Sequence, residues 1–231
     1  MARVTFPFNV RHISHSAKLV GLSDAPQSAL SGAMSVQPRL GGHWQATASF
    51  WATNEATALA LQAFVAQMEG MLGTTLFPMY QRYAPLDAQG RRATGYGIGA
   101  LGNGDIWEGT GSQTWEHYGF ESEPSVTATL AASAALRATE LRVTNSNTLG
   151  LRPGQMFGLG ERTYWAKSVW QSGAQDVVSI TPPLRAAAAA GDMLVLDRPT
   201  CLMRFASEDE SALAFTIEPN VQVTMNMVEA I

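Results

Sequence analysis

The chain has 231 residues, 46% of them hydrophobic, and a formal net charge of −4 at pH 7, so it can bury a core of its own. Only 15% of its residues are Asp, Glu, Lys or Arg, against about 25% in an ordinary soluble domain. This acidic, weakly charged composition excludes the basic footprint of a nucleic-acid binder, no run of about 18 apolar residues offers a membrane span, and the single Cys201 excludes an internal disulfide and a cysteine-based zinc site.

Lysine occurs only at Lys18 and Lys167; arginine supplies the remaining cations. A GC-rich genome explains such a bias, and so does a surface largely covered by neighbours, because interfaces favour arginine and avoid lysine. The opening MARVTFPFNVRH holds no apolar leader segment, so the expectation is synthesis and folding in a cytoplasm. Phe6, Phe8 and Val10 share one parity there, which predicts a strand with Phe6 and Phe8 on a core or oligomer-interface face. His12 and His15 lie three apart in that strand-like stretch without an acidic third ligand, so they are expected to be ordinary polar histidines and not a metal site. His43 and His117 stand alone.

Next, Trp44, Ala46, Ala48 and Phe50 alternate with Gln45, Thr47 and Ser49, the period of a half-buried strand. Thr53 and Asn54 can each cap the helix that follows, predicted over about 54–72. Leu61, Phe64, Val65, Met68 and Leu72 form its apolar stripe, Glu55 sits in the first turn, and Gly70 and Gly73 end it. From 74 to 123 the chain is rich in Gly, Tyr and Trp. Gly97-Ile98-Gly99-Ala100-Leu101-Gly102 spells the dinucleotide-binding G-x-G-x-x-G, but a turn-like AQGRRAT precedes it and the glycine-broken NGDIWEGTGS follows it. Neither the strand nor the phosphate-facing helix that such a site needs is available, so no cofactor is expected.

No nucleophile elbow surrounds GSQTW or QSGAQ, and Cys201 begins an apolar strand, so the chain reads as a non-enzyme. Asp105, Glu108, Glu116 and Glu121 are the clustered acids that a polysaccharide hydrolase would have to use. Trp107, Trp115, Tyr118 and Phe120 in the same loop suit stacking on a sugar or anchoring a partner. Tyr164, Trp165 and Trp170 further on share that chemistry, with core packing as the alternative for all of them.

At EPSVTATLAASA the composition shifts to small residues, marking a crossing between domains. TELRVTN, QMFGLGERTYWAKSVW, AQDVVSI and MLVLD then give short strands every ten residues or so, the spacing of a small barrel. In TPPLRAAAAAGD, Pro182 and Pro183 are expected to open a short helix that Gly191 stops. CLMRF resumes the first region's alternation, SEDES reads as a solvated acidic turn, and Val221, Val223, Met225 and Met227 alternate with Gln222, Thr224 and Asn226 in a last strand. Val223 and Met225 are its core or interface positions, and strands near both ends are expected to meet in one sheet. The predicted architecture is mainly β with one long helix. A β-rich ring-forming domain takes 1–125 plus 199–231, and an inserted small β-barrel takes 126–198.

LRPGQMF, ITPPLR, Gly191-Asp192 and PTCLMRF, in this order and spacing, resemble a module of tail proteins from long-tailed bacteriophages and gene transfer agents. The opening VTFPFNVRHI and closing VQVTMNMVEAI are similar to the terminal strands of distal tail proteins. The resemblance implies a structural virion protein at the tail tip, forming a hexameric homo-oligomer ring that joins the tail tube protein to the baseplate hub protein. DNA would pass the lumen without specific binding, and no catalytic residue would be required. The long Gly/Trp loop departs from the best-known members of that family. A carbohydrate-binding receptor module, meeting a host-surface glycan through Trp107, Trp115 and Tyr118, is the alternative reading.

Overall fold

The computed structural model describes residues 3–7, 11–24, 27–28, 34–37, 39, 41–86, 88, 90, 126–146, 148–196, 199–211 and 221–231. Among the described residues the chain is mainly β, with one α-helix. In chain order the elements are β1 (Arg3–Val4), β2 (Arg11–Val20), β3 (Gln27–Ser28), β4 (Met34–Ser35), β5 (His43–Ala52), α1 (Glu55–Met68) and β6 (Thr74–Pro78). There follow β7 (Thr127–Leu130), β8 (Glu140–Asn145), β9 (Met156–Leu159), β10 (Arg162–Ser172), β11 (Gln175–Thr181), β12 (Met193–Val195), β13 (Thr200–Phe205) and β14 (Val221–Glu229). The fold separates into two compact units, one of Met1–Thr5, His12–Thr75 and Leu202–Ile231, the other of Phe6–Arg11 and Leu76–Cys201.

The first unit is built on a six-stranded sheet in the order β1-β6-β13-β14-β5-β2, so strands near both ends of the chain do share one sheet. Alternation sets its faces. Trp44, Ala46, Ala48 and Phe50 on β5 and Val223, Met225 and Met227 on β14 are buried, and the two strands pair antiparallel with Met225 opposite Ala48. Helix α1 lays Leu61, Phe64, Val65 and Met68 into this core, each removal from water contributing roughly 1.5–3 kcal/mol. Phe64 meets Phe205 of β13 edge-on, with ring centroids 6.0 Å apart.

Asn54 is the N-cap, with a reciprocal exchange: its side chain accepts from the Thr57 amide at 2.9 Å, and the Thr57 hydroxyl accepts from the Asn54 amide at 3.2 Å. The helix is shorter than the expected 54–72. It stops at Met68, because Glu69 turns left-handed at φ 46° and Gly73 folds back to donate its amide to the Met68 carbonyl at 2.8 Å. Leu72 therefore leaves the stripe and is 66% exposed.

In the second unit, hydrogen bonding runs from β10 through β11, β8, β7, β12 and β9 and returns to β10, closing the sheet. Val126, Leu141, Val143, Phe157, Tyr164 and Ile180 are among the buried residues inside it. Gln81, Tyr83 and Leu86, expected with the ring-forming domain, are bonded to this unit. The Gln81 amide nitrogen donates to the Met156 carbonyl at 2.7 Å while its oxygen accepts from the Met156 amide at 2.8 Å. Gln155 donates to the Tyr83 carbonyl at 3.0 Å, and Leu149 and Thr148 both donate to the carbonyl of Leu86.

The alanine run is not a helix. Leu184 donates to Ala138, Ala188 and Ala134 exchange amide bonds, and Asp192 accepts from Ala189 through its carboxylate. These backbone groups are used by tertiary partners, which overrides the high helix propensity of alanine.

Candidate functional site

The strands of the six-stranded sheet present two extended surfaces. β2 is ten residues long and stands at one end of the six-stranded order, so its far edge has no strand beside it among the described residues. Ile13 is 43% exposed, and Ser14, Ser16 and Lys18 are exposed along the same strand. A strand this long at the end of a sheet is a template for pairing with another chain.

The second surface is the sheet face opposite the helix. Across β5 and β14, Ser49 stands opposite Thr224 and Thr47 opposite Asn226. The two hydroxyls of the first pair lie 2.9 Å apart, and Thr47 donates to the Asn226 amide oxygen at 2.7 Å. Gln45, Trp51, Gln222 and Val228 complete the stretch, so this face of the two strands carries hydroxyls and amides but no charged side chain. The acids nearby are internally engaged. Glu229 is buried and accepts from the Trp44 amide at 3.0 Å, and Glu210 takes both the amide and the side chain of Asn226. SEDES is thus a 3₁₀ turn, Glu208–Ser211, with one of its three acids committed to β14 and not simply a solvated run.

The expected site residues divide as follows. Val223 and Met225 are buried core positions of β14. Phe6 is buried at 4% exposure and meets Phe77 edge-on at 5.3 Å, but it lies outside any strand, since β1 ends at Val4. Phe8, Val10, the Gly97–Gly102 motif, Trp107, Trp115, Tyr118, Phe120 and the acids Asp105, Glu108, Glu116 and Glu121 lie outside the described residues. Tyr164 is core, its hydroxyl accepting from the Arg185 amide at 3.0 Å, whereas Trp170 is 43% exposed. Cys201 is a buried free thiol. Among the described residues no group of three or more His, Cys, Asp and Glu could hold a metal ion, and no helix is long and apolar enough to cross a membrane.

The length of the β2 edge was not anticipated from the sequence, because RHISHSAKLV mixes charge, hydroxyls and imidazoles without clean alternation. Its lack of a buried face is consistent with that pattern: every described side chain from Ile13 to Val20 is exposed or half-buried. No protein-family model matches the chain, and no curated protein matches it.

Proposed function

We propose that this chain is a structural virion protein, a distal tail protein of a long-tailed bacteriophage or gene transfer agent. It acts by assembling into a homo-oligomeric ring, hexameric in the family it resembles, that joins the tail tube to the baseplate hub. The observation that carries the reading is the ten-residue β2 at the open end of the sheet. Lys18 places a charge on this edge, as soluble monomers often do, but the strand is still ten residues long, and a ring with head-to-tail contacts would give such an edge a partner. The low charge and the two lysines fit a subunit much of whose surface is shared with neighbours.

In this reading the β5–β14 face lines the lumen, where DNA passes two strands bearing mostly hydroxyls and amides, with Arg204 of β13, opposite Val228, the nearest cation on the paired strands. The closed sheet of the second unit is read as the inserted small barrel, a module that in the family it resembles decorates the ring. The protein performs no catalytic step and takes no cofactor.

Native mass spectrometry and negative-stain microscopy test the proposal. Rings with a mass several times that of one subunit are expected, alone or on mixing with tube and hub proteins. A protein that stays monomeric at every concentration, and remains so with both partners, would overturn it.

A further inference from the structure

Trp170 lies in the outer half of β10 and is 43% exposed, an unusual position for so large an apolar ring unless something covers it. Across the next two strands, Trp170 pairs with Val177 of β11 and Val177 pairs with Arg142 of β8. Val178 and Ile180 belong to the core of the closed sheet, so by alternation Val177 and Ser179 face outward. Val177 is nevertheless only 7% exposed. Ser179 pairs with Glu140 in the neighbouring row. Beside these rows the small side chains of Ala132–Ala135 leave a groove of about 410 Å³, into which Trp170, Glu140, Arg142, Ser133 and Ser172 open. That volume lies within the roughly 300–1,000 Å³ of small-ligand sites.

The chemistry of the lining narrows the ligand. One carboxylate and one guanidinium cancel in charge, and among the described residues neither side chain makes a hydrogen bond or an ion pair. A nucleic acid strand needs a cationic track beside its aromatic platform, and this groove has a single cation. Vicinal hydroxyls match it better. Each can donate to a carboxylate oxygen or accept from a guanidinium N–H, while the C–H face of the same ring rests on an indole.

We propose that the Trp170 groove binds a neutral oligosaccharide, with one pyranose ring stacked on Trp170 and its hydroxyls held by Glu140 and Arg142. This proposal uses none of the residues from Trp107 to Phe120 and stands whether or not the chain assembles into a ring.

Titration of the full chain with maltohexaose, cellohexaose, chitohexaose and dextran, followed by calorimetry and tryptophan fluorescence, tests it. At least one of these is expected to bind. Trp170→Ala should weaken that binding by about fivefold or more, the loss typical of a removed stacking platform, and Trp170→Phe should restore part of it. Glu140→Gln and Arg142→Met should each weaken it while leaving the melting temperature unchanged, which separates contact loss from unfolding. Binding of none of the four, binding that survives Trp170→Ala, or binding lost only on Trp115→Ala would overturn the proposal. So would a groove that takes single-stranded DNA or an unrelated peptide in preference to every sugar.

Discussion

Single positions show most sharply how local chemistry serves the fold. Gly150 has φ +90°, and a methyl group added there would stand 2.8 Å from Asp176 Oδ2 and 2.9 Å from Asn145 Nδ2. Those two side chains are themselves bonded at 2.6 Å, and the Gly150 amide donates to Thr148, which holds Leu86. Gly154 has a similar φ of +88° with nothing near its missing side chain. Gly154→Ala should therefore cost only the left-handed backbone penalty, roughly 1–2 kcal/mol. Gly150→Ala should cost more, because the clash disrupts a knot that ties β8, β11 and residue 86 together. Thermal melts of the two variants check this; equal losses would show that the knot yields easily. A second pair tests the last strand. Met225 is fully buried and Gln222 exposed on the same β14. Met225→Asp should lose on the order of 4 kcal/mol and yield little soluble protein, whereas Gln222→Asp should stay within about 0.5 kcal/mol of the parent. Soluble yield and urea midpoints read the difference.

At the scale of elements, strands that bury one face announced themselves, and elements set by tertiary partners did not. β5 and β14 follow from alternation alone, because a period of two allows only one choice of buried side. The end of α1 does not follow, since 61, 64, 65, 68 and 72 keep helical spacing across the point where Glu69 turns away. What stops the helix is the return of Gly73 against Met68, where a Cβ would come within 2.7 Å of the Met68 Cα. The alanine run likewise reads as helix until Ala134 and Ala138 claim its backbone. The surfaces assigned to function were legible only in part: the polar parity of β5 and β14 is visible in the chain, but which strand stands at the sheet's end is decided by topology. That end yields a prediction. Along a strand, successive residues direct their backbone groups to opposite sides. Of Ser16→Pro and Ala17→Pro on β2, one should remove a bond to β5 and lower the melting temperature. The other should spare the melt and reduce assembly, because its lost N–H points to the open edge. Melting curves beside native mass spectra of both variants separate the two effects; two variants that assemble fully would rule out β2 as the joining edge.

At the scale of the whole molecule, charge links composition to the proposed role. The division of the chain into units was less legible than its charge, because side-chain bonds from Gln81 and Gln155, a signal no periodicity carries, tie residues 81 and 83 to the closed sheet's unit. Net charge, by contrast, is additive and needs no topology. With 15 Lys and Arg against 19 Asp and Glu, −4 overall, the chain repels a polyanion on balance, and β5 and β14 place no Lys or Arg on their polar face, where the nearest across the pairing is Arg204 opposite Val228. Non-specific DNA affinity rises as salt falls, since it comes from phosphate contacts that displace counterions. A duplex at about 50 mM salt is therefore the most demanding condition for a lumen that must let DNA through. Fluorescence anisotropy of a labelled duplex should stay flat as the protein is raised to tens of micromolar (about the concentration at which weak non-specific binders saturate), for monomer and assembled ring alike. Introducing cations on the lining face, as in the double variant Thr47→Arg and Thr224→Arg, should create salt-sensitive binding in the assembled form. A parent protein that held the duplex at low salt would contradict the assignment of this face to a DNA channel, and so would an arginine variant whose ring still ignored it.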